Sequence, residues 1–307
     1  MGVNANGLRF LLRARRDGVK MDEVAMIGRQ GVHVSVPKMR EILNTEFGMD
    51  VPVSTLQAID SHRYAEPLLE LLGARKVVSY DFSDYEGATF VHDFNTPIDP
   101  AHDQRYDMVI DGGTLEHVFN FPVALKNCMR MIRRDGVFIG VSSANNELGH
   151  GFYQFSPELY FRAFDPRNGY RVDELFLHEG RENRTWIAVQ DPDAIRQRAT
   201  LINTRATLQL VRARREDVVE IFSAPPLQSD YSAAWAAGEA VSVARDVAVE
   251  PRRGIRKLFR FIPVPVKRQI TMFRVAVRDR LTFLRVLMGV ELDPKAMRRV
   301  DSVTYRQ

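Results

Sequence analysis

Four positions in the first 111 residues place a glycine or a carboxylate where an apolar run stops: Gly28, Asp81, Asp93 and Asp111. A carboxylate can accept protons from both hydroxyls of a ribose. An acid at the end of a strand therefore suits a nucleoside. Asp81 is read in that role, and Asp93 as an acceptor for an adenine amino group. Gly28 has no Cβ and lets a ligand approach the backbone closely. Taken singly, Asp81 or Asp93 reads more readily as an ordinary exposed strand-end or turn acid. The ordered set favours a ligand-binding edge.

Such an edge needs strands to carry it. Glu23–Gly28 is a short apolar run ending in glycine, as expected of a buried parallel strand and a tight turn. Strands are predicted over 76–81, 88–93, 106–111 and 136–142. Helices are predicted over 8–20, 38–47, 64–72 and 123–132. Alternation of this kind indicates βαβ units, a mainly parallel sheet and helices on both faces, a Rossmann-like α/β fold. Right-handed crossovers bring the C-terminal ends of the strands to one edge, where ligands of open sheets bind. Further on, 170–178, 186–189 and 206–212 are strand-like, and 224–231 reads as a loop.

The composition fits such a domain. The chain has 307 residues, 45% hydrophobic and 27% charged, with a single cysteine, Cys128. An intrachain disulfide and a cysteine-rich zinc site are excluded. No run approaches the ~18 apolar residues of a membrane span, and Arg13, Arg15 and Arg16 interrupt the N-terminal apolar stretch. A cytoplasmic protein is expected. No His/Asp/Glu grouping has metal-ligand spacing, so no metal is expected. Net charge is +4, made of +11 after residue 250 and −7 before it. The body lacks zinc-finger spacing and an aromatic-basic signature, so nucleic acid is not the expected partner.

Tyr106-Asp-Met-Val-Ile-Asp-Gly-Gly-Thr-Leu-Glu-His-Val118 resembles the fourth-strand motif of class I S-adenosylmethionine-dependent methyltransferases, in their small-molecule branch. Met131-Ile-Arg-Arg-Asp-Gly-Val-Phe-Ile139 and Gly149-His-Gly-Phe-Tyr-Gln-Phe-Ser-Pro157 resemble the elements that follow it. The resemblance covers about residues 23–214. It implies S-adenosylmethionine as cofactor and methyl transfer to a small molecule or glycan precursor. By position, the Gly28-Arg29-Gln30-Gly31 turn would meet the methionine moiety. Arg29 would partner its carboxylate, or else be a solvated turn residue. Asp81 would hold the ribose, Asp93 would lie near the adenine, and Asp111, Gly112 and Gly113 would line the mouth. The turn carries fewer glycines than the family pattern, and the path from Gly28 to Asp81 is long. An insertion near 44–66 is expected to form a lid or substrate wall.

Methyl transfer is a displacement that chiefly needs orientation and exclusion of water. A hydroxyl or amine acceptor also needs a base, and imidazole titrates near ~6.5. His117 and His150 are the candidates. Local packing is the competing reading for His117. Tyr153 and Gln154 are candidate substrate contacts, whereas Phe152, Phe155 and Phe161 read equally as core.

The expected organisation is a basic N-terminal helix (1–22), a cofactor-binding domain (23–215), a loop and helical appendage (216–250) and a basic amphipathic extension (251–307). In the extension, Val266, Ile270, Phe273, Val277, Leu281, Leu284 and Met288 form one helical stripe, with Lys267, Arg274, Arg278 and Arg285 beside it. The stripe suits packing on the chain's own domain, an anionic membrane surface, or a homodimer contact. Two other functional classes stand beside the methyltransferase. One is a binding or scaffold protein that keeps the fold without transfer activity. The other is a nicotinamide-dependent oxidoreductase, disfavoured because no Gly-x-Gly-x-x-Gly follows the first strand.

Overall fold

Apolar residues alternate between two faces along each central strand, and this period of two sets the layers. The computed structural model describes residues 2–180, 184–231, 291–292 and 297–304. Its main sheet has nine strands: β1 (Glu23–Ile27), β2 (Lys76–Asp81), β3 (Phe90–Val91), β4 (Tyr106–Asp111), β5 (Ile132–Asn145), β6 (Tyr170–Glu179), β7 (Thr185–Val189), β8 (Thr207–Arg215) and β9 (Met297–Asp301). Their order is β9-β7-β6-β8-β5-β4-β1-β2-β3. The first five in sequence pair in parallel. β8 lies antiparallel between β5 and β6, and β7 and β9 continue antiparallel to the far edge.

On one face, Ala25, Ile27, Val109, Phe138 and Leu175 pack with Leu125, Cys128 and Met129 of α5 (Phe121–Met131). On the other, Val24, Met26, Met108, Ile110, Val137 and Phe176 pack with Leu8, Leu11 and Leu12 of α1 (Ala5–Arg16). A sheet buried on both faces reads as continuous hydrophobic runs, as Val24-Ala-Met-Ile27 does. This is the Rossmann-like α/β fold expected from the sequence.

Several segments differ from the reading above. α1 begins at Ala5, where the Asn4 side chain accepts the Asn6 and Gly7 amides at 3.0 and 2.9 Å. It is buried along most of its length, Arg9 and Arg13 included. The predicted strand 88–93 shortens to Phe90–Val91, because Asp93 is used in a turn. The crossover from β1 to β2 is helical: α2 (Val36–Arg40), a π-helical continuation Glu41–Glu46, α3 (Val53–His62) and α4 (Glu66–Leu71). Ile42, Leu43, Leu56 and Ile59 are buried in the same core as α1. Within 44–66, Leu56 and Ile59 thus pack on the sheet face that α1 also covers. The stripe over 266–288 lies outside the described residues. Among the described residues no helix is long and apolar enough to cross a membrane.

Candidate functional site

The sheet order reverses between β1 and β4, with β2 and β3 on one side and β5 on the other. Ligands of open α/β sheets enter the crevice at that point. On the β1 side the chain turns at Gly28, whose φ of 72° requires glycine and whose amide donates to the Tyr80 carbonyl at 2.7 Å. The Gln30 side chain then folds back into the crevice and is fully buried. Its amide donates to the Ile27 carbonyl, to the Gly28 carbonyl at 3.3 Å and to the Thr114 hydroxyl at 3.3 Å. Thr114 Oγ1 in turn donates to the Ile27 carbonyl at 2.6 Å. A Cβ at Gly112 would collide with the Gln30 carboxamide. Gly2–Val3 pairs in parallel with Gly31–Val32, and the Gly2 amide donates to the Gly112 carbonyl at 3.0 Å. The crevice between the two turns is thus filled by Gln30 and edged by residues 2–3.

The β2 end is more open. Asp81 is half-buried, and its carboxylate accepts the Arg29 amide at 3.2 Å and the Phe82 amide at 2.7 Å. Phe82 and Tyr85 beside it are 71% and 92% exposed. A half-buried carboxylate at a strand end, followed in the chain by exposed aromatic residues, suits a ribose and its base. The Arg29 side chain does not point to the crevice. It bonds Glu66 at 2.8 Å and the Glu86 and Gly87 carbonyls at 2.6 and 3.2 Å, and lies 4.1 Å from the centre of the Tyr64 ring. Arg29 therefore anchors the 82–87 loop. Asp93 Oδ1 accepts both the backbone and side-chain N–H groups of Asn95 at 2.9 and 2.7 Å, which holds its carboxyl below the ordinary range.

Across the crevice a second group gathers. Asp111 is fully buried, and its Oδ1 accepts the Thr114 and Leu115 amides at 2.8 and 3.2 Å. Glu116 is 1% exposed, and its Oε1 lies 3.6 Å from His150 Nε2. The His117 and His150 rings are 5.0 Å apart. The ligating atoms of Glu116, His117 and His150 all lie within 4.8 Å of one another. Burial pushes both carboxyls up, and at Glu116 the Asp111 charge adds to it; the pair titrates at about 7 and about 8. Burial and the neighbouring His150 lower His117.

A carboxyl raised in the fold contributes stability that is present at acid pH and is lost as the pH passes through its folded value. With a chelator present, the melting temperature of the wild type should fall between about pH 5 and pH 8.5. Asp111→Asn should flatten that slope. A melting temperature that rises over this range would contradict the buried pair.

Tyr153 Oη donates to the Phe119 carbonyl at 2.7 Å, and Gln154 Oε1 accepts the Glu147 amide at 2.9 Å. Both side chains hold their own loop. Exposed Phe119 and Phe152 pair edge to face at 5.8 Å and form an apolar lip near the histidines. The structure thus brings His117 and His150 together, and places Gly28, Gln30 and Gly112 around one crevice. It turns Arg29, Tyr153 and Gln154 to local contacts. Glu116, Thr114 and Phe82 were not singled out from sequence. Glu116 stands inside the quoted Leu115-Glu116-His117 segment and was the most accessible of the three.

The sheet, parallel from β3 to β5 and antiparallel beyond, with helices on its faces, defines a Rossmann-like α/β fold. No family model matches the sequence, and no curated protein matches it. Among solved structures, the chain is similar to a Bacillus halodurans protein described as a methyltransferase, at 13% identity over 67% of this chain and 99% of that one, with a TM-score of 0.38. It is similar to a Listeria monocytogenes protein described as an S-adenosylmethionine-dependent methyltransferase, at 12% identity over 68% and 99%, TM-score 0.35. It is also similar to a Thermus thermophilus branched-chain polyamine synthase, solved with N4-aminopropylspermidine and 5'-methylthioadenosine, at 14% identity over 74% and 60%, TM-score 0.35.

Proposed function

We propose that the chain is an S-adenosylmethionine-dependent methyltransferase acting on a small molecule or glycan precursor. The observation that carries this reading is the β2 end, where the Asp81 carboxylate stands beside exposed Phe82 and Tyr85. The fit is good at that nucleoside end, and Gln30 restricts it at the crevice. Asp81 would accept the ribose hydroxyls, with the base against the aromatic rings. When bound, the cofactor supplies an electrophilic methyl group. His150 or His117 would take the acceptor's proton, with Glu116 Oε1 standing 3.6 Å from the His150 ring to help position it. Phe119 and Phe152 would hold an apolar part of the acceptor and exclude water.

Asp81→Ala should weaken binding of S-adenosylmethionine or its demethylated product by about 1.5–3 kcal/mol, through loss of charge-assisted hydrogen bonds. Calorimetry on the purified chain measures this. Absence of both heat and a melting shift at saturating cofactor would end the assignment. Replacing the histidine that serves as base should lower turnover and leave cofactor affinity unchanged. Full turnover of both His117→Ala and His150→Ala between about pH 6 and pH 9 would leave orientation alone as the catalytic device.

A second reading is favoured by one observation: Gln30 fills the crevice, which residues 2–3 edge. On that reading the chain is a binding or scaffold protein on a methyltransferase-type fold. Cofactor binding without transfer to any acceptor would support it.

A further inference from the structure

Glu116 is 1% exposed and its Oε2 has no hydrogen-bond partner. Behind it, Asp111 is fully buried, and its Oδ2 is also without a partner. Buried carboxylates are costly unless they are paired or coordinate a metal. Among the described residues, His150 is the one basic side chain within ion-pair distance of Glu116. The carboxyl end of this site faces two imidazoles and open solvent, because His117 and His150 are exposed.

The loop that delivers His150 is fixed from below. The Glu116 carbonyl accepts the Phe152 and Tyr153 amides at 2.8 and 3.2 Å. Gly151 has a φ of 72°, and a Cβ there would stand 2.7 Å from the Glu116 carbonyl oxygen. Only glycine lets the loop lie this close. His150 is therefore held over the Glu116 side chain by backbone contacts, independently of any ligand.

We propose that Glu116, His117 and His150 form a binding site for one divalent transition ion of the zinc type. Two imidazoles and a carboxylate, with further positions open to solvent, are a donor set for such an ion, whereas magnesium and calcium prefer oxygen alone. Zinc bound at ~2.0–2.1 Å from nitrogen and oxygen needs ligand atoms about 3.5 Å apart. His150 Nε2 and Glu116 Oε1 already stand at 3.6 Å. The three ligating atoms lie within 4.8 Å of one another, so turning the exposed imidazoles closes the remainder. The open positions face the Phe119–Phe152 lip. The ion would bind an acceptor oxygen or nitrogen there and lower its pKa. A histidine nitrogen that holds the ion is not free to act as base, so ion binding and the histidine-base mechanism are alternatives at the same atoms.

The site does not depend on the cofactor, and its test uses none. The full chain, stripped with chelator, is titrated with zinc by calorimetry and with cobalt(II) by visible absorption. The expected result is one ion per chain and a cobalt spectrum of four- or five-coordinate type. His150→Ala and His117→Ala should each weaken zinc binding by about 100-fold or more, given that loss of even a supporting contact costs 10–100-fold. Both positions are exposed, and an unchanged melting temperature of the metal-free variants shows that folding is intact. Wild-type protein that takes up no stoichiometric ion would overturn the proposal. So would His117 and His150 variants that bind zinc as the wild type does.

Discussion

On the proposed methyltransferase reading, Gln30→Ala is expected to tighten S-adenosylmethionine binding by about 10–100-fold. The Gln30 amide makes three hydrogen bonds that span the crevice, to the carbonyls of Ile27 and Gly28 and to the Thr114 hydroxyl. A ligand that enters between β1 and β4 must first displace this side chain. Each neutral hydrogen bond is worth about 0.5–1.5 kcal/mol net. The two N–H hydrogens of the carboxamide are shared among these three acceptors, so opening the crevice costs roughly 1–3 kcal/mol, and apparent affinity falls by the fraction of chains that are open. Alanine removes the obstacle and the cost together. The same substitution leaves a small cavity against Gly112 and should lower the melting temperature by a few degrees. Calorimetry with wild type and variant side by side decides the matter. A folded Gln30→Ala chain with wild-type affinity would show that the carboxamide does not gate the crevice.

That prediction marks where the sequence stopped being informative. The strand ends were legible because their signal is local: Met108–Ile110 is an apolar run closed by Asp111, and the structure places β4 on Tyr106–Asp111. β3 was overdrawn because Asp93 bonds its own Asn95 and turns the chain before the strand can extend. Gln30 was legible as a departure from a glycine-rich turn. Its burial was not, because that depends on Gly112 and Thr114, more than 80 positions away. Arg29 shows the same limit. Its partners Tyr64, Glu66 and Glu86 come from two other segments, and no spacing rule relates them. Glu116 and His117 are adjacent in sequence, whereas His150 reaches them only through the glycine-flanked loop after β5.

The helix α1 raises a sharper contrast. Its arginines suggest a solvated basic face, yet Arg9 and Arg13 are buried. Arg13 lies at an ion pair with Glu174, and Arg212 adds a second cation to Glu174 at 3.2 Å. Arg9 makes two parallel bonds to Glu46, both at 2.8 Å, with the two side chains 0% and 2% exposed. A lone carboxylate or guanidinium could not be tolerated at either position, so each charge explains the other.

Glu46→Ala should therefore destabilise the fold by about 3–5 kcal/mol, since it leaves the Arg9 charge buried and unpaired. The double replacement Arg9→Met with Glu46→Leu should recover most of that loss, because an apolar pair of similar volume has no charge to desolvate. The coupling between the two sites is the diagnostic quantity, and a double-mutant cycle by denaturant unfolding measures it. The pair also joins α1 to the Glu41–Glu46 segment of the β1–β2 crossover. Asn4 caps the same helix, and residues 2–3 before it edge the crevice. Loss of Glu46 should thus loosen residues 2–3 as well, with faster hydrogen exchange at the His33 amide, which donates to the Val3 carbonyl at 2.8 Å. Single variants whose losses simply add, with no recovery in the double, would show that Arg9 and Glu46 contribute independently and that the buried pair does not anchor the helix.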